Sequence, residues 1–385
     1  MSNWYRGRST FVSLGVQYLV NALVYSTYVA RLPDLRENTG LSLAQLGTVI
    51  TVGNVAALVA LPVSSRLIGW VGSRWVMVPS SLVYVGTLPV LSLTSRATTL
   101  VAAVVVMMVS NTLVDVALAK QSAVFSSKRE RPVMNRLAGV YSVGALVGAG
   151  LAAVVAHAGV GATTHLVAIS LCLAVAIVAV VPGLLEDDQT LPIDASESVV
   201  SWGSHAAMLL VMLVASAATV PLDIGPGEWA TFRAREDLGL EAGAVTGAYA
   251  AFIAGTCVGR FGGDHVAGIL GRLRTLRWSV GCSMAGLAVA CFVPHVVAVY
   301  LGFAIAGVGS AVQAPLLTEA AGRGPNAALT AFFIGNRLAG LATPVTIGVL
   351  AGLSFMNVGI AIAAVAFPCV IVLAMLGRRS LESRW

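Results

Sequence analysis

Apolar runs long enough to cross a lipid bilayer recur from one end of this chain to the other, and few folds are compatible with that. A spanning helix needs about 20 mostly apolar residues. Runs of that order, bounded by charges or by Pro/Gly clusters, fall at residues 10–30, 43–65, 75–93, 97–118, 135–156, 162–184, 204–229, 242–266, 275–293, 296–318, 327–350 and 354–376. In hydrocarbon a segment has to satisfy its own backbone polar groups, so each run predicts an α-helix. The balance of residues agrees: 10% of the 385 positions are charged, against roughly a quarter in soluble domains. The expected fold class is all-α integral membrane, with about twelve transmembrane helices. Arg6 and Arg8 ahead of the first run resemble a secretory signal. A cut after Ala30 would, however, put bulky Tyr28 where a small residue is wanted, so the run reads as an uncleaved span. The 5 cysteines lie inside apolar runs without CxxC or CxxxH spacing, which argues against a disulfide framework or a zinc site.

Two connectors interrupt the short loops. One is the basic stretch Lys120–Arg136; the other, Leu185–Gly203, is acidic and polar and divides the spans six and six. The expected organisation is an N-terminal six-helix bundle over 1–184, a linker over 185–203 and a C-terminal six-helix bundle over 204–385. The halves repeat. Gly40, Gly69 and Gly72 recur as Gly239, Gly268 and Gly271, always 199 residues on. Parallel six-helix repeats are a known transporter plan, with the substrate site near the midplane between them. Basic residues set the orientation. With the N-terminus inside, seventeen Lys and Arg fall on the cytoplasmic side and five (Arg31, Arg36, Arg96, Arg233, Arg235) outside, leaving Arg337 within a span. Both termini are then cytoplasmic, and Trp4, Trp70, Trp75, Trp202, Trp278 and Trp385 all fall at the cytoplasmic membrane edge, as an interfacial belt would place them. The net charge of +6 faces anionic lipid, and no separate basic domain suggests a nucleic-acid partner.

The loop after the second span resembles the major facilitator motif Gly-x-x-x-Asp-x-x-Gly-Arg-Arg. Gly72-Ser73-Arg74 and, in the second half, Gly271-Arg272 match its end. Gly69 and Gly268 stand at its acidic position, and Ser65 and Asp264 at its first glycine. A closer resemblance is to a bacterial inner-membrane branch of the major facilitator superfamily, near the fucose-permease-like sugar transporters. It rests on Val114-Asp115-Val116-Ala117, Gln121, Arg131-Pro132 and Tyr141-Ser142 with Gly144 in the first half. In the second half it rests on Asp223 with Glu228-Trp229, and on Gly259-Arg260 with Gly263-Asp264. The chain departs from this branch at Ala119, where relatives carry Asn, and at Ala138, where they often carry His. The resemblance implies a bacterial-type plasma membrane, a monomer and a central cavity lined by spans one, four, seven and ten.

Ionisable groups inside hydrocarbon cost several kcal/mol, so each needs an explanation. Arg337 lies near the middle of span eleven, too deep to snorkel easily, and suits an anionic or hydroxylated substrate group or a counter-charge to a proton-carrying acid. Asn336 beside it points about 100° away around the helix. Asp115 and Asn111 share one face of span four. Asp223 and Glu228 lie among Pro221, Gly225, Pro226 and Gly227, which predict a broken helix of the kind that lines transporter cavities. A carboxylate in a partly dry cavity can exchange protons near neutral pH, so Asp115, Asp223 and Glu228 are the candidate proton-coupling residues. Gln17, Asn21, Tyr25 and Tyr28 form a single stripe on span one, and Gln313 with Ser310 a smaller one on span ten. Gln17, Asn21, Tyr25, Asn111, Gln313, Asn336 and Arg337 are therefore the candidate substrate contacts. Arg74 and the i,i+4 pairs Arg260–Asp264 and Glu319–Arg323 read as structural or gating charges.

No nucleotide loop, nucleophile triad or metal cluster occurs, so neither an enzyme nor a cofactor is expected. The expected function is secondary active transport of a small organic compound by alternating access, with protons as coupling ion, leaning toward export of an amphipathic molecule. Uptake of a sugar-like nutrient is the alternative within the class. A non-transporting membrane sensor or scaffold is the alternative outside it.

Overall fold

The computed structural model describes residues 2–127, 134–186, 206–322 and 326–379. They form helices joined by short connections, and no strand occurs among the described residues. The long helices are α1 (Ser2–Ala30), α3 (Leu43–Val71), α4 (Ser73–Ser92), α5 (Ala97–Ser127), α6 (Met134–His157), α7 (Ala162–Val180), α8 (Ala206–Phe232), α9 (Ala242–Leu270), α10 (Arg272–Phe292), α11 (Val296–Gly322), α12 (Asn326–Ala351) and α13 (Val358–Arg379). A short α2 (Leu32–Thr39) follows α1. Eleven of these helices, α3 to α13, are long and apolar enough to cross a membrane. The 29-residue α1 is long enough as well, and it carries the polar stripe.

The repeat read from the glycines is present in the backbone. Gly40 and Gly239 are both left-handed, at φ +64° and +63°. Gly72, between α3 and α4, has φ 85° and ψ 155°, and Gly271, between α9 and α10, has φ 80° and ψ 153°. That region is open essentially to glycine alone, so one residue turns the chain sharply at the same place in each half. Arg36 and Arg235 extend the correspondence. Arg36 Nε donates to the Leu41 carbonyl at 2.9 Å, and Arg235 Nη1 donates to the Leu240 carbonyl at 3.2 Å. Trp70, Trp75 and Trp278 are exposed beside the two glycine turns.

The chain divides into two compact units, Met1–Leu41 with Val52–Ala195, and Ser42–Thr51 with Ser196–Trp385. Lipid gives apolar helices no hydrophobic reason to associate, so each unit is held by close packing and interhelical hydrogen bonds. In the first unit α6 lies directly on α1, where a Cβ at Gly144 would meet the Leu19 carbonyl. Leu14, Ile68, Met77, Leu118, Phe125, Leu137 and Leu184 form a core cluster there. In the second unit the Ser216 hydroxyl donates to the Phe332 carbonyl at 2.6 Å, joining α8 to α12. Ser42–Thr51, the first turns of α3, packs within this unit: the Thr51 hydroxyl donates to the Leu341 carbonyl of α12 at 3.0 Å.

One expectation fails. Pro221, Gly225, Pro226 and Gly227 do not break α8, which runs unbroken from Ala206 to Phe232 with both prolines inside it. Helices in lipid tolerate proline because neighbours and local adjustments re-satisfy the freed carbonyls. Directly after α8, Arg233–Asp237 forms a wider π-helical turn.

Candidate functional site

In the first unit the polar stripe of α1 meets α5. Asn21 donates its amide Nδ2 to Asp115 Oδ1 at 2.5 Å, and Asn111, one turn before Asp115, donates to Oδ2 at 3.3 Å. Asn21 is buried, whereas the Asp115 side chain is exposed. Helix spacing brings Asn111 to Asp115, but the meeting with Asn21 spans 94 residues. Tyr18 and Tyr25 stand half-buried on either side of Asn21 along α1. The Ser122 hydroxyl donates to the Tyr18 hydroxyl at 3.3 Å, and Tyr18 lies close enough to Asp115 to feel its charge. Gln17 is fully buried and accepts from the Ser81 hydroxyl of α4 at 3.2 Å. Its Nε2 has no hydrogen-bond partner among the described residues.

In the second unit α8 carries the acids. Asp223 is half-buried and accepts from the Ser310 hydroxyl of α11 at 3.3 Å, while the Arg260 guanidinium of α9 acts on it electrostatically. Glu228 is 5% exposed, next to the fully buried Trp229. Gln313, one turn beyond Ser310, is also fully buried and donates to the Ser283 hydroxyl of α10 at 2.9 Å. The two members of the α11 stripe therefore turn to different partners. Asn336 is half-buried on α12, and Arg337 is exposed. Arg337 makes no hydrogen bond or ion pair among the described residues.

The charges at helix ends sort differently. Arg74 pairs with Glu186 at 2.9 Å. Glu319 pairs with Arg272 across 2.6 Å; its expected partner Arg323 lies outside the described residues. Arg260 and Asp264 are both exposed on α9.

Two buried arginines did not emerge from the sequence, where both read as loop charges. Arg31 is 1% exposed. It donates to His165 Nδ1 at 3.3 Å, to Asp34 at 3.3 Å and to the Val160 carbonyl at 3.1 Å. Arg233 donates to the Ala290 carbonyl at 3.1 Å and to Asp237 at 2.8 Å. Asp237 in turn accepts the backbone N–H groups of Val358 at 3.0 Å and Gly359 at 2.8 Å, the first residues of α13. The only sequence signal was Arg233–Asp237 spacing.

Long apolar helices, glycine turns repeated along the chain and carboxylates bonded between helices by polar side chains fit a polytopic membrane transporter. The family model of the Major Facilitator Superfamily matches residues 14–344, and the chain belongs to that superfamily. It is 26% identical over 376 residues to an uncharacterized MFS-type transporter of Yersinia pestis, covering 96% of this chain and 94% of that one. Among solved structures it resembles the nucleoside transporter NupG, with a TM-score of 0.74 at 11% identity, covering 96% of this chain and 99% of that one. It also resembles the Escherichia coli fucose:proton symporter FucP, with a TM-score of 0.59 at 14% identity over 96% of this chain and 97% of that one.

Proposed function

We propose that this chain is a proton-driven transporter that exports a small amphipathic organic compound by alternating access, with Asp223 carrying the proton. The supporting observation is the Asp223–Ser310 pair. A hydroxyl both donates and accepts, so Ser310 serves Asp223 as a carboxylate and, by turning its O–H, as a carboxylic acid. The arginine acting on Asp223 adds a charge whose balance changes with that proton. Glu228 is the reserve acid on the same helix, and Arg337 the counter-charge or the contact for a polar group of the substrate. Gln17, Asn21, Tyr25, Asn111, Gln313 and Asn336 furnish the remaining polar and aromatic contacts. Arg74, Arg260, Asp264, Glu319 and Arg323 act as gating charges. The protein works as a monomer in a bacterial-type plasma membrane with both termini cytoplasmic, its halves at 1–184 and 204–385 joined by a cytoplasmic linker at 185–203.

Export is supported by Ala119 and Ala138, which remove polar groups that the sugar-permease relatives carry. Uptake of a polar nutrient is the second reading, favoured by the likeness to a nucleoside transporter and a fucose:proton symporter. The test is accumulation of a varied small-molecule panel in an efflux-deficient bacterial host, comparing wild type, Asp223→Asn and empty vector at matched membrane expression. Lower accumulation of some compounds with wild type alone supports proton-driven export. Higher accumulation turns the assignment to uptake, and equal efflux by Asp223→Asn removes the proton role from that residue.

A further inference from the structure

We propose that Arg337 is an anion subsite on the transport path, so that the transported compound is an amphipathic organic acid in its ionised form. This rests on the transporter reading above and decides between the two roles left open there for Arg337. α12 runs from Asn326 to Ala351, which puts Arg337 about 16 Å from its start and about 21 Å from its end at 1.5 Å per residue. The hydrocarbon core of a bilayer is about 30 Å thick, so neither headgroup layer is within easy reach of the side chain. A guanidinium stays protonated in proteins, and at such a depth it has to meet water or a negative group.

The neighbouring acids are otherwise engaged. Among the described residues Arg337 makes no hydrogen bond or ion pair. α12 and α13 contain no Asp or Glu, and neither does Ser42–Thr51, the segment of α3 that bonds to α12. α8 and α11 also pack on α12, and their acids are Asp223, Glu228 and Glu319. Asp223 has Ser310 and Arg260, Glu319 has Arg272, and Glu228 is buried further along α8.

The surface beside Arg337 fits the rest of such a molecule. Phe333 and Ile334, four and three residues earlier, share its face of α12 and are 55% and 38% exposed. The Phe333 ring stands edge-on to Phe332, with centroids 5.6 Å apart, and Phe332 is buried. A carboxylate takes two parallel N–H bonds from the planar guanidinium fork, while an apolar or aromatic body lies against Phe333 and Ile334. A neutral alcohol can share the apolar contact but leaves the charge unmatched, and an amine is repelled. The work is thereby divided, with the proton on Asp223 and the anion on Arg337.

Binding to the purified full chain in detergent at neutral pH tests this. The probes are phenylacetate, 2-phenylethanol and phenethylamine, which are similar in size and differ in charge. Titration calorimetry and the shift in unfolding temperature are the readouts. Phenylacetate should bind wild type at least about tenfold more tightly than the alcohol, the ratio that one charge-assisted contact supplies, and more tightly than the amine. Arg337→Gln should erase that preference. Arg337→Lys keeps the charge without the fork and should retain a reduced preference. Should Arg337→Gln fail to fold, Arg337→Lys and the wild-type comparison decide. Equal binding of phenylacetate and the alcohol, no binding of phenylacetate, a preference that survives in folded Arg337→Gln, or one unchanged in Arg337→Lys would overturn the proposal. The accumulation panel keeps the two readings separate, because Asp223-dependent export confined to neutral or cationic compounds would preserve the transporter while removing the anion subsite.

Discussion

The Ser310 hydroxyl and the Asp223 carboxylate meet at 3.3 Å between α11 and α8. Ser310 thus accompanies Asp223 in either protonation state, and the two substitutions separate its role from that of the acid. In proteoliposomes with an imposed pH gradient, Asp223→Asn should abolish gradient-driven movement while substrate exchange at equal pH continues. Ser310→Ala should slow the driven movement without abolishing it. Driven transport at the wild-type rate in Asp223→Asn would show that the proton travels elsewhere.

Arg337 gives the second prediction. It lies near the middle of α12 among exposed apolar neighbours, Phe333 and Leu338, and a bare guanidinium at that depth in lipid would cost several kcal/mol. On the proposed reading its exposed face looks onto water or substrate. Arg337→Ala should remove transport at unchanged membrane expression. Arg337→Lys keeps the charge but loses the planar fork, so it should retain reduced transport. Equal loss in both variants would mean that the fork matters; no loss in either would remove Arg337 from the mechanism.

The third prediction concerns the buried pair that holds the start of α13. Arg233 and Asp237 have side chains 4% and 6% exposed, 2.8 Å apart. Removing one partner of a buried pair costs about 3–5 kcal/mol, because the other charge is left uncompensated. Arg233→Ala and Asp237→Ala should each lower the unfolding temperature in detergent strongly. The double substitution should cost much less than the two losses added together, since residues sharing one interaction are not additive. Additive losses would show that the two residues act independently.

The same pair shows where the sequence stops being informative. The helices were legible because bilayer thickness sets the length of an apolar run, and the repeat because both halves need glycine at the same corner. The facing of Asn111 and Asp115 follows from helix spacing alone. Asn21 could be placed on a polar stripe, but its partner Asp115 is set by how α1 packs on α5, which no local pattern encodes. Arg31 and Arg233 went unnoticed for the same reason: a cation at the end of a span reads as solvated until its distant partners are known. The proline-rich stretch of α8 misled in the opposite direction, because local propensity favours a break that the packed helix does not make.

The glycine corners supply the last prediction, in which space and backbone strain can be separated. A Cβ at Gly271 would meet nothing within 4 Å, so crowding does not require glycine there. The conformation does, at Gly72 and Gly271 alike: at φ 85° and 80°, a side chain forces a strain of about 1–3 kcal/mol. Gly69 and Gly268, three residues earlier in each half, also have open space around a Cβ but are ordinary helical residues in α3 and α9. Gly72→Ala and Gly271→Ala should therefore both lower the unfolding temperature. Gly69→Ala and Gly268→Ala should leave it unchanged or raise it, since alanine in a helix interior gains about 0.5–1 kcal/mol over glycine. If all four alanines behaved alike, the positive dihedral angles would not be what keeps Gly72 and Gly271 as glycine, and the turn would owe its shape to the helices on either side.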